Sequence, residues 1–190
     1  MNKPERIKKE IRELVKEYYH EVFAPKPFEP GKSHVPVSGK VFDDKEIYNV
    51  VESALDGWFT TGRFNTHFEK RLTKYIGVKH ALTVNSGSSA NLLAVATLTA
   101  EELGEEAVKP GDEVITVAAS FPTTINPWLL YGAVPVFVDV DIPPYNIDVS
   151  RIEAAITPKT KAIMVVHLYG RVCWSEKLNQ IAQKYNLKII

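Results

Sequence analysis

The sequence predicts an α/β fold: a mainly parallel sheet with helices on both faces. Three observations carry that prediction. From residue 80 onward, apolar runs suited to buried strands (residues 81–84, 113–117, 134–138 and 162–166, with another beginning at 187–190) alternate with helix-like segments at about 89–103, 123–131, 150–156 and 175–185. Turn signals fall between them, notably Pro110-Gly111-Asp112 and Gly132. The composition, 45% hydrophobic and 24% charged over 190 residues, is that of a globular chain able to build a sizeable core.

Ahead of that region, residues 4–23 place Ile7, Ile11, Leu14, Val15, Tyr18, Tyr19 and Val22 at helical spacings of three and four. The other face mixes both charge signs, which favours packing on its own domain or a partner subunit over a membrane surface. Residues 24–40 hold Pro25, Pro27, Pro30 and Pro36 with Gly31 and Gly39, and read as an extended connector. Gly31-Lys32-Ser33 imitates the tail of a nucleotide-binding P-loop, but Lys26 stands where that motif needs its first Gly, and the motif is rejected. Asp43 or Asp44 caps a helix to about Leu55, with Ile47, Val50, Val51, Ala54 and Leu55 inward. Gly57 to Gly62 breaks the pattern. Phe64, Phe68, Leu72, Tyr75 and Ile76 resume it, and Gly77 ends that helix. The domain expectation is therefore an N-terminal helix and Pro-rich connector over 1–40, and the sheet-bearing part over 41–190.

Charge and cysteine content exclude several classes. Lys and Arg number 23 against 23 Asp and Glu, so no bulk field draws the chain to nucleic acid or an anionic membrane. One Cys forms no internal disulfide and ligates no zinc or iron–sulfur centre alone. No apolar run approaches the roughly 20 residues that span a bilayer. With no sequon and no apolar leader, the expectation is a soluble, cytoplasmic protein.

In parallel sheets, ligands bind at the carboxyl ends of strands, so the loops there are the ones to inspect. Asn85-Ser86-Gly87-Ser88-Ser89-Ala90-Asn91 opens a helix with small residues, free N–H groups and hydroxyls, a combination suited to a phosphate. A plain N-cap at Ser88 or Ser89 explains it as well. Phe121, in Ala118-Ala119-Ser120-Phe121-Pro122, is placed to stack on a planar ligand, although on chemistry alone a core position is favoured. Asp139 and Asp141 read as turn residues rather than metal ligands. His167 ends the fourth strand as an acid/base or supporting candidate, with a structural role the stronger reading. Cys173 reads as packing. Trp58 and Phe59 could line a sugar or nucleotide pocket or serve a subunit contact with equal weight.

Taken together, these motifs resemble one family. Ser86-Gly87-Ser88-Ser89-Ala90-Asn91-Leu92-Leu93, Pro110-Gly111-Asp112-Glu113-Val114-Ile115-Thr116, Phe121-Pro122-Thr123-Thr124 with Asn126-Pro127, Pro135-Val136-Phe137-Val138-Asp139-Val140-Asp141, Tyr145-Asn146-Ile147-Asp148 and Val166-His167-Leu168-Tyr169-Gly170 are similar, in this order, to the DegT/DnrJ/EryC1/StrS sugar aminotransferases. The Ser-Gly-Ser-Ser-Ala-Asn and Phe-Pro-Thr-Thr variants resemble its sugar 3-dehydratase branch.

That resemblance implies the truncated large domain of a type I pyridoxal-phosphate-dependent transferase. It implies a lyase that removes the 3-hydroxyl of a CDP-4-keto-6-deoxy-hexose in dideoxysugar and O-antigen lipopolysaccharide biosynthesis. A sugar-nucleotide aminotransferase, or a non-catalytic binding or assembly module, is the alternative. It further implies pyridoxal or pyridoxamine phosphate as cofactor, held by Gly87, Ser88 and Ser89 at its phosphate, by Phe121 at its ring and by His167 nearby. Trp58 and Arg63 are implied on the nucleotide-sugar or dimer side. Implied partners are a second copy and an iron–sulfur flavin reductase. The sequence breaks off inside a strand, so the expectation is an N-terminal fragment. No catalytic residue is expected within it: the base, the pyridinium partner and any cysteines for an iron–sulfur cluster are expected beyond residue 190. An unpaired sheet edge and exposed apolar helix faces are expected with them.

Overall fold

The computed structural model describes residues 2–190, which divide into two compact units, the first running to Leu82 and the second from Thr83 to Ile190. The unit boundary lies beyond the Pro-rich connector, because the N-terminal helix packs with the segment that follows the connector.

In the first unit, α1 (Lys3–Phe23) starts on a capping box: Asn2 accepts from the Glu5 N–H, and Glu5 from the Asn2 N–H. A second box starts α2 (Asp44–Leu55), with Asp43 as the cap and Glu46 reaching back to it. α1 packs on α2 and its approach through an aromatic edge: the Tyr19 hydroxyl donates to the Phe42 carbonyl at 2.9 Å, and the Phe23 and Phe42 rings lie 5.2 Å apart. The Arg12 guanidinium covers the Tyr48 ring. Ile11, Val15 and Tyr19 are half-buried, whereas Leu14 and Tyr18 are exposed. The Gly31-Lys32-Ser33 segment is a closed turn in which the Lys32 and Ser33 N–H groups donate to the Glu29 carbonyl, so those donors are already used. α3 (Arg63–Ile76) ends at Gly77, whose φ of 82° is the left-handed cap.

The second unit is built outward from β1 (Glu113–Val117), a strand buried on both faces. β2 (Val134–Val138) pairs with one side of it, β3 (Thr160–Met164) with the other and β4 (Lys188–Ile189) with β3, all in parallel. Residue alternation sorts two cores. Val114, Ala162 and Met164 meet Val95 of α4 (Gly87–Leu98) and Trp128 of α5 (Asn126–Leu130). Ile115, Val117 and Ile163 meet Ile152 of α6 (Val149–Ile152) and Leu178, Ile181 and Ala182 of α7 (Glu176–Lys184). Trp128 is fully buried, and its Nε1–H donates to the Met164 sulfur.

Several expected elements are shifted, each for a local reason. Residues 81–84 form no strand. A strand exists only by pairing, the described residues provide no ladder for this segment, and Leu82 is 75% exposed. The helix expected over 89–103 runs from Gly87 to Leu98, because Ser86 is the cap and the hydroxyls of Thr97 and Thr99 turn back onto the Leu93 and Ala96 carbonyls. The helix expected over 123–131 splits into a 3₁₀ turn (Pro122–Thr124) and α5, since Pro127 has no N–H to carry the ladder through. The expected helix 150–156 is α6, capped by Asp148, followed by a 3₁₀ turn. β3 begins two residues before the expected strand, where Glu113 accepts from the hydroxyls of Thr157 and Thr160.

Candidate functional site

The chain moves from β1 to β2 on one side and then returns past β1 to β3 on the other. That reversal opens a crevice outside the carboxyl ends of β1 and β3, the position at which open α/β sheets bind ligands. A cleft of about 760 Å³ lies there, lined by Gly87, Ser88, Asn91, Phe121, Thr123, Thr124, His167 and Trp174 and floored by apolar residues including Met164 and Leu178.

Its first wall is the start of α4. The Ser86 hydroxyl caps the helix by accepting from the Ser89 N–H at 3.1 Å. The Ser89 hydroxyl donates to Asn85 Oδ1 at 2.7 Å, so it serves the loop rather than the cleft. Gly87 and Ser88 face the cleft, their N–H groups belonging to the helical turn that has no intrahelical acceptors. A Cβ placed on Gly87 would meet nothing within 4 Å, so the backbone is open to close approach. This end of a helix of 12 residues presents donors and positive dipole to an anion.

The second wall follows β1. Phe121 is 70% exposed and lines the cleft, so it is not the core residue that chemistry alone favoured. The Thr123 carbonyl, freed by Pro127, accepts from Asn91 Nδ2 at 3.2 Å, which ties this loop to α4. The third wall is His167, whose Nδ1 accepts from the Cys173 N–H at 3.1 Å. Burial pushes the Cys173 thiol above its usual range, in keeping with a core side chain. Asp139 and Asp141 are turn residues: Asp139 Oδ1 accepts from the Val140 N–H, and Asp141 pairs through its backbone with Asn146. Among the described residues no group of three or more His, Cys, Asp or Glu could hold a metal ion.

Gly87, Ser88, Phe121 and His167 are thus brought to one cleft, with Ser89 just behind it. Trp58 and Arg63 belong to the first unit. There the Trp58 Nε1–H donates to the Thr61 carbonyl, and Trp58, Phe59 and Phe64 line a groove of about 430 Å³. Arg63 is paired to Asp56 at 2.7 Å and Glu52 at 2.9 Å, which close the intervening loop. The hydrogen bond to Asp56 leads in holding Arg63 above its usual range, and Arg63 holds Asp56 below its own. Asn91 and Trp174 line the cleft without having been singled out in the sequence. The available signals were the small-residue run that opens α4, which Asn91 ends, and for Trp174 its place in the loop between β3 and α7.

A parallel sheet with a switch-point cleft is common to many α/β folds. The likeness to solved pyridoxal-phosphate enzymes, at TM-scores of 0.73 and 0.74, makes this one part of the large domain of a type I pyridoxal-phosphate-dependent transferase. The chain belongs to the DegT/DnrJ/EryC1/StrS aminotransferase family, whose sequence profile matches residues 41–190. It is 58% identical over 184 residues to lipopolysaccharide biosynthesis protein RfbH of Salmonella typhimurium, covering 97% of this chain and 42% of that protein. It is 42% identical to dTDP-4-dehydro-2,6-dideoxy-D-glucose 3-dehydratase of Saccharopolyspora spinosa, over 96% of this chain and 39% of that one. Among solved structures, E. coli GDP-4-keto-6-deoxy-D-mannose-3-dehydratase with bound hydrated PLP matches with a TM-score of 0.73 and 35% identity, over 82% of this chain and 40% of that chain. The chain spans about two-fifths of the length of the curated relatives it matches.

Proposed function

We propose that this chain is the N-terminal part of a pyridoxal- or pyridoxamine-phosphate-dependent sugar 3-dehydratase, with residues 41–190 contributing to the cofactor-binding large domain. The observation that carries the proposal is the convergence of Gly87, Ser88, Phe121 and His167 on one switch-point cleft. The donor set fits the cofactor: free N–H groups and a hydroxyl for its phosphate, an exposed phenyl face for its ring, and an open Gly87 where a phosphate would approach. When bound, the cofactor supplies an electron sink that allows a sugar hydroxyl to leave. The chain's own residues hold the phosphate, stack on the ring and exclude water from its face. The likeness to RfbH and to a sugar 3-dehydratase supports dehydration of a CDP-linked 4-keto-6-deoxy-hexose in lipopolysaccharide biosynthesis.

Trp58 and Arg63 are assigned to the nucleotide-sugar side, Arg63 acting through the loop it closes. A cytoplasmic homodimer accompanies this reading, and no helix among the described residues is long and apolar enough to cross a membrane. The family's aminotransferase description favours a second reading, transfer of an amine to the same class of keto sugar.

Titrating the chain with pyridoxal 5′-phosphate, followed by absorbance and thermal unfolding, tests the site. Saturable binding with a raised midpoint is expected, and its absence overturns the assignment. Supplying the whole protein with CDP-4-keto-6-deoxy-glucose and pyridoxamine phosphate separates the two reactions. Loss of the 3-hydroxyl is the expected product, and a 4-amino sugar formed with glutamate would establish the alternative.

A further inference from the structure

Behind His167 lies a chain of hydrogen bonds that fixes the ring. A main-chain N–H can only donate, so the bond from Cys173 to Nδ1 requires a lone pair there and puts the neutral ring's hydrogen on Nε2. The segment that supplies this N–H is itself held from a distant loop. Asn146 Nδ2 donates to the carbonyls of Arg171 and Val172, at 3.4 and 3.3 Å. Asn146 is anchored in turn, its carbonyl accepting from the Asp141 N–H and its neighbour Ile147 buried in the core. The amide keeps this orientation although its Oδ1 is buried and receives no hydrogen bond. An unsatisfied acceptor costs free energy, so the amide is oriented by what its Nδ2 donates to. On the other side, the buried Cys173 side chain pins the same segment to the core.

We infer that Asn146 is a positioning residue: through the backbone of residues 171–173 it holds His167 in the Nε2–H form, so that toward the cleft His167 is a hydrogen-bond donor to a ligand oxygen and not a base. This rests on the reading of the cleft as a ligand site. An imidazole with Nδ1 committed to the backbone has one nitrogen left for the cleft, and that nitrogen carries hydrogen. The matching ligand group is an acceptor oxygen, such as a phenolate, hydroxyl or carbonyl.

The test is a through-hydrogen-bond ¹⁵N–¹⁵N coupling between Cys173 N and His167 Nδ1, measured by NMR on the full ¹⁵N-labelled chain. The coupling is expected in the wild type, with hydrogen on Nε2. It is expected to be lost in Asn146→Asp, which keeps the side-chain shape but turns oxygens toward both carbonyls. Asn146→Ala serves as a second variant, and retained β1 and β3 amide signals certify the fold of each. A coupling that survives in both folded variants, or a wild-type ring protonated at Nδ1, overturns the inference. A parallel titration with pyridoxal 5′-phosphate keeps the two readings apart. Coupling without saturable binding overturns the ligand site, whereas binding without coupling overturns the role of Asn146.

Discussion

Ser86 and Phe121 divide the work of the cleft between stability and binding. Ser86 is spent on the helix: its hydroxyl satisfies the Ser89 N–H, and Ser89 in turn bonds Asn85. Ser86→Ala should therefore lower the unfolding free energy of the chain by about 1 kcal/mol, the usual cost of losing an N-cap. Phe121 is 70% exposed and contributes little to the core. Phe121→Ala should leave stability within about 0.5 kcal/mol. It should weaken pyridoxal 5′-phosphate binding roughly tenfold, because a stacked ring contact contributes about 1 kcal/mol or somewhat more. Urea unfolding and ligand titration on the same two variants check this contrast. A stability loss at Phe121 equal to that at Ser86 would return Phe121 to the core. The sequence left Phe121 open between core and stacking, because exposure is decided by the neighbouring walls and not by residue type. It placed the cap at Ser88 or Ser89, whereas Ser86 is the cap and both of those residues lie inside the helix, because a run of small residues carries no phase.

At the scale of elements, legibility followed how local each cause was. β1 and β2 lie where their apolar runs place them, and α7 fills the interval between the Ser175 cap and Tyr185. Those signals are side-chain pattern and capping, both readable along the chain. Residues 81–84 read equally well as a strand but form none, since a strand needs a neighbour and the pattern cannot supply it. The Asn146–Arg171 link joins segments far apart in sequence and had no signal at all. The turn between α5 and β2 shows a local cause with a sharp consequence. Gly132 has φ of 76°, its carbonyl accepts from the Gly111 N–H, and an added Cβ would lie 3.1 Å from Pro110 Cβ. Gly132→Ala should cost about 1–2 kcal/mol from the left-handed backbone alone, with the Pro110 contact adding to it. Gly39→Ala, at a position with open space and no positive φ, should change stability by less than about 0.5 kcal/mol. Equal effects of the two in thermal or urea unfolding would refute the assigned role of that turn.

Across the whole molecule, charge balance sets how stability answers to pH. Five carboxyls are held below their ordinary values of 3.8 or 4.5: Asp43 by the Lys45 N–H, Asp56 by Arg63, Glu106 by Lys188, Asp148 by Ser150 and Glu153 by Lys184. An acid with a depressed folded pKa binds its proton more weakly in the folded chain than in the unfolded one. Its stabilisation is therefore complete above the unfolded pKa and is lost as pH falls through the folded one. Protonation also leaves 23 Lys and Arg side chains without their balancing acids, so repulsion acts in the same direction. On the alkaline side, burial raises the Cys173 thiol above its ordinary 9.0. That contribution is complete below the unfolded pKa and declines as pH rises toward the folded one. Stability should be level between about pH 5 and 8 and fall below about pH 4. Asp56, Glu106 and Glu153 are exposed and Asp43 and Asp148 half-buried, so screening by about 0.5 M salt should flatten the part of the decline that comes from the exposed ion pairs and from repulsion. The part that comes from the backbone bond to Asp43 and the Ser150 bonds to Asp148 should persist. Unfolding midpoints measured across this range at low and high salt decide the point, and a midpoint unchanged down to pH 2 would show that these pairs do not differ between the folded and unfolded chain.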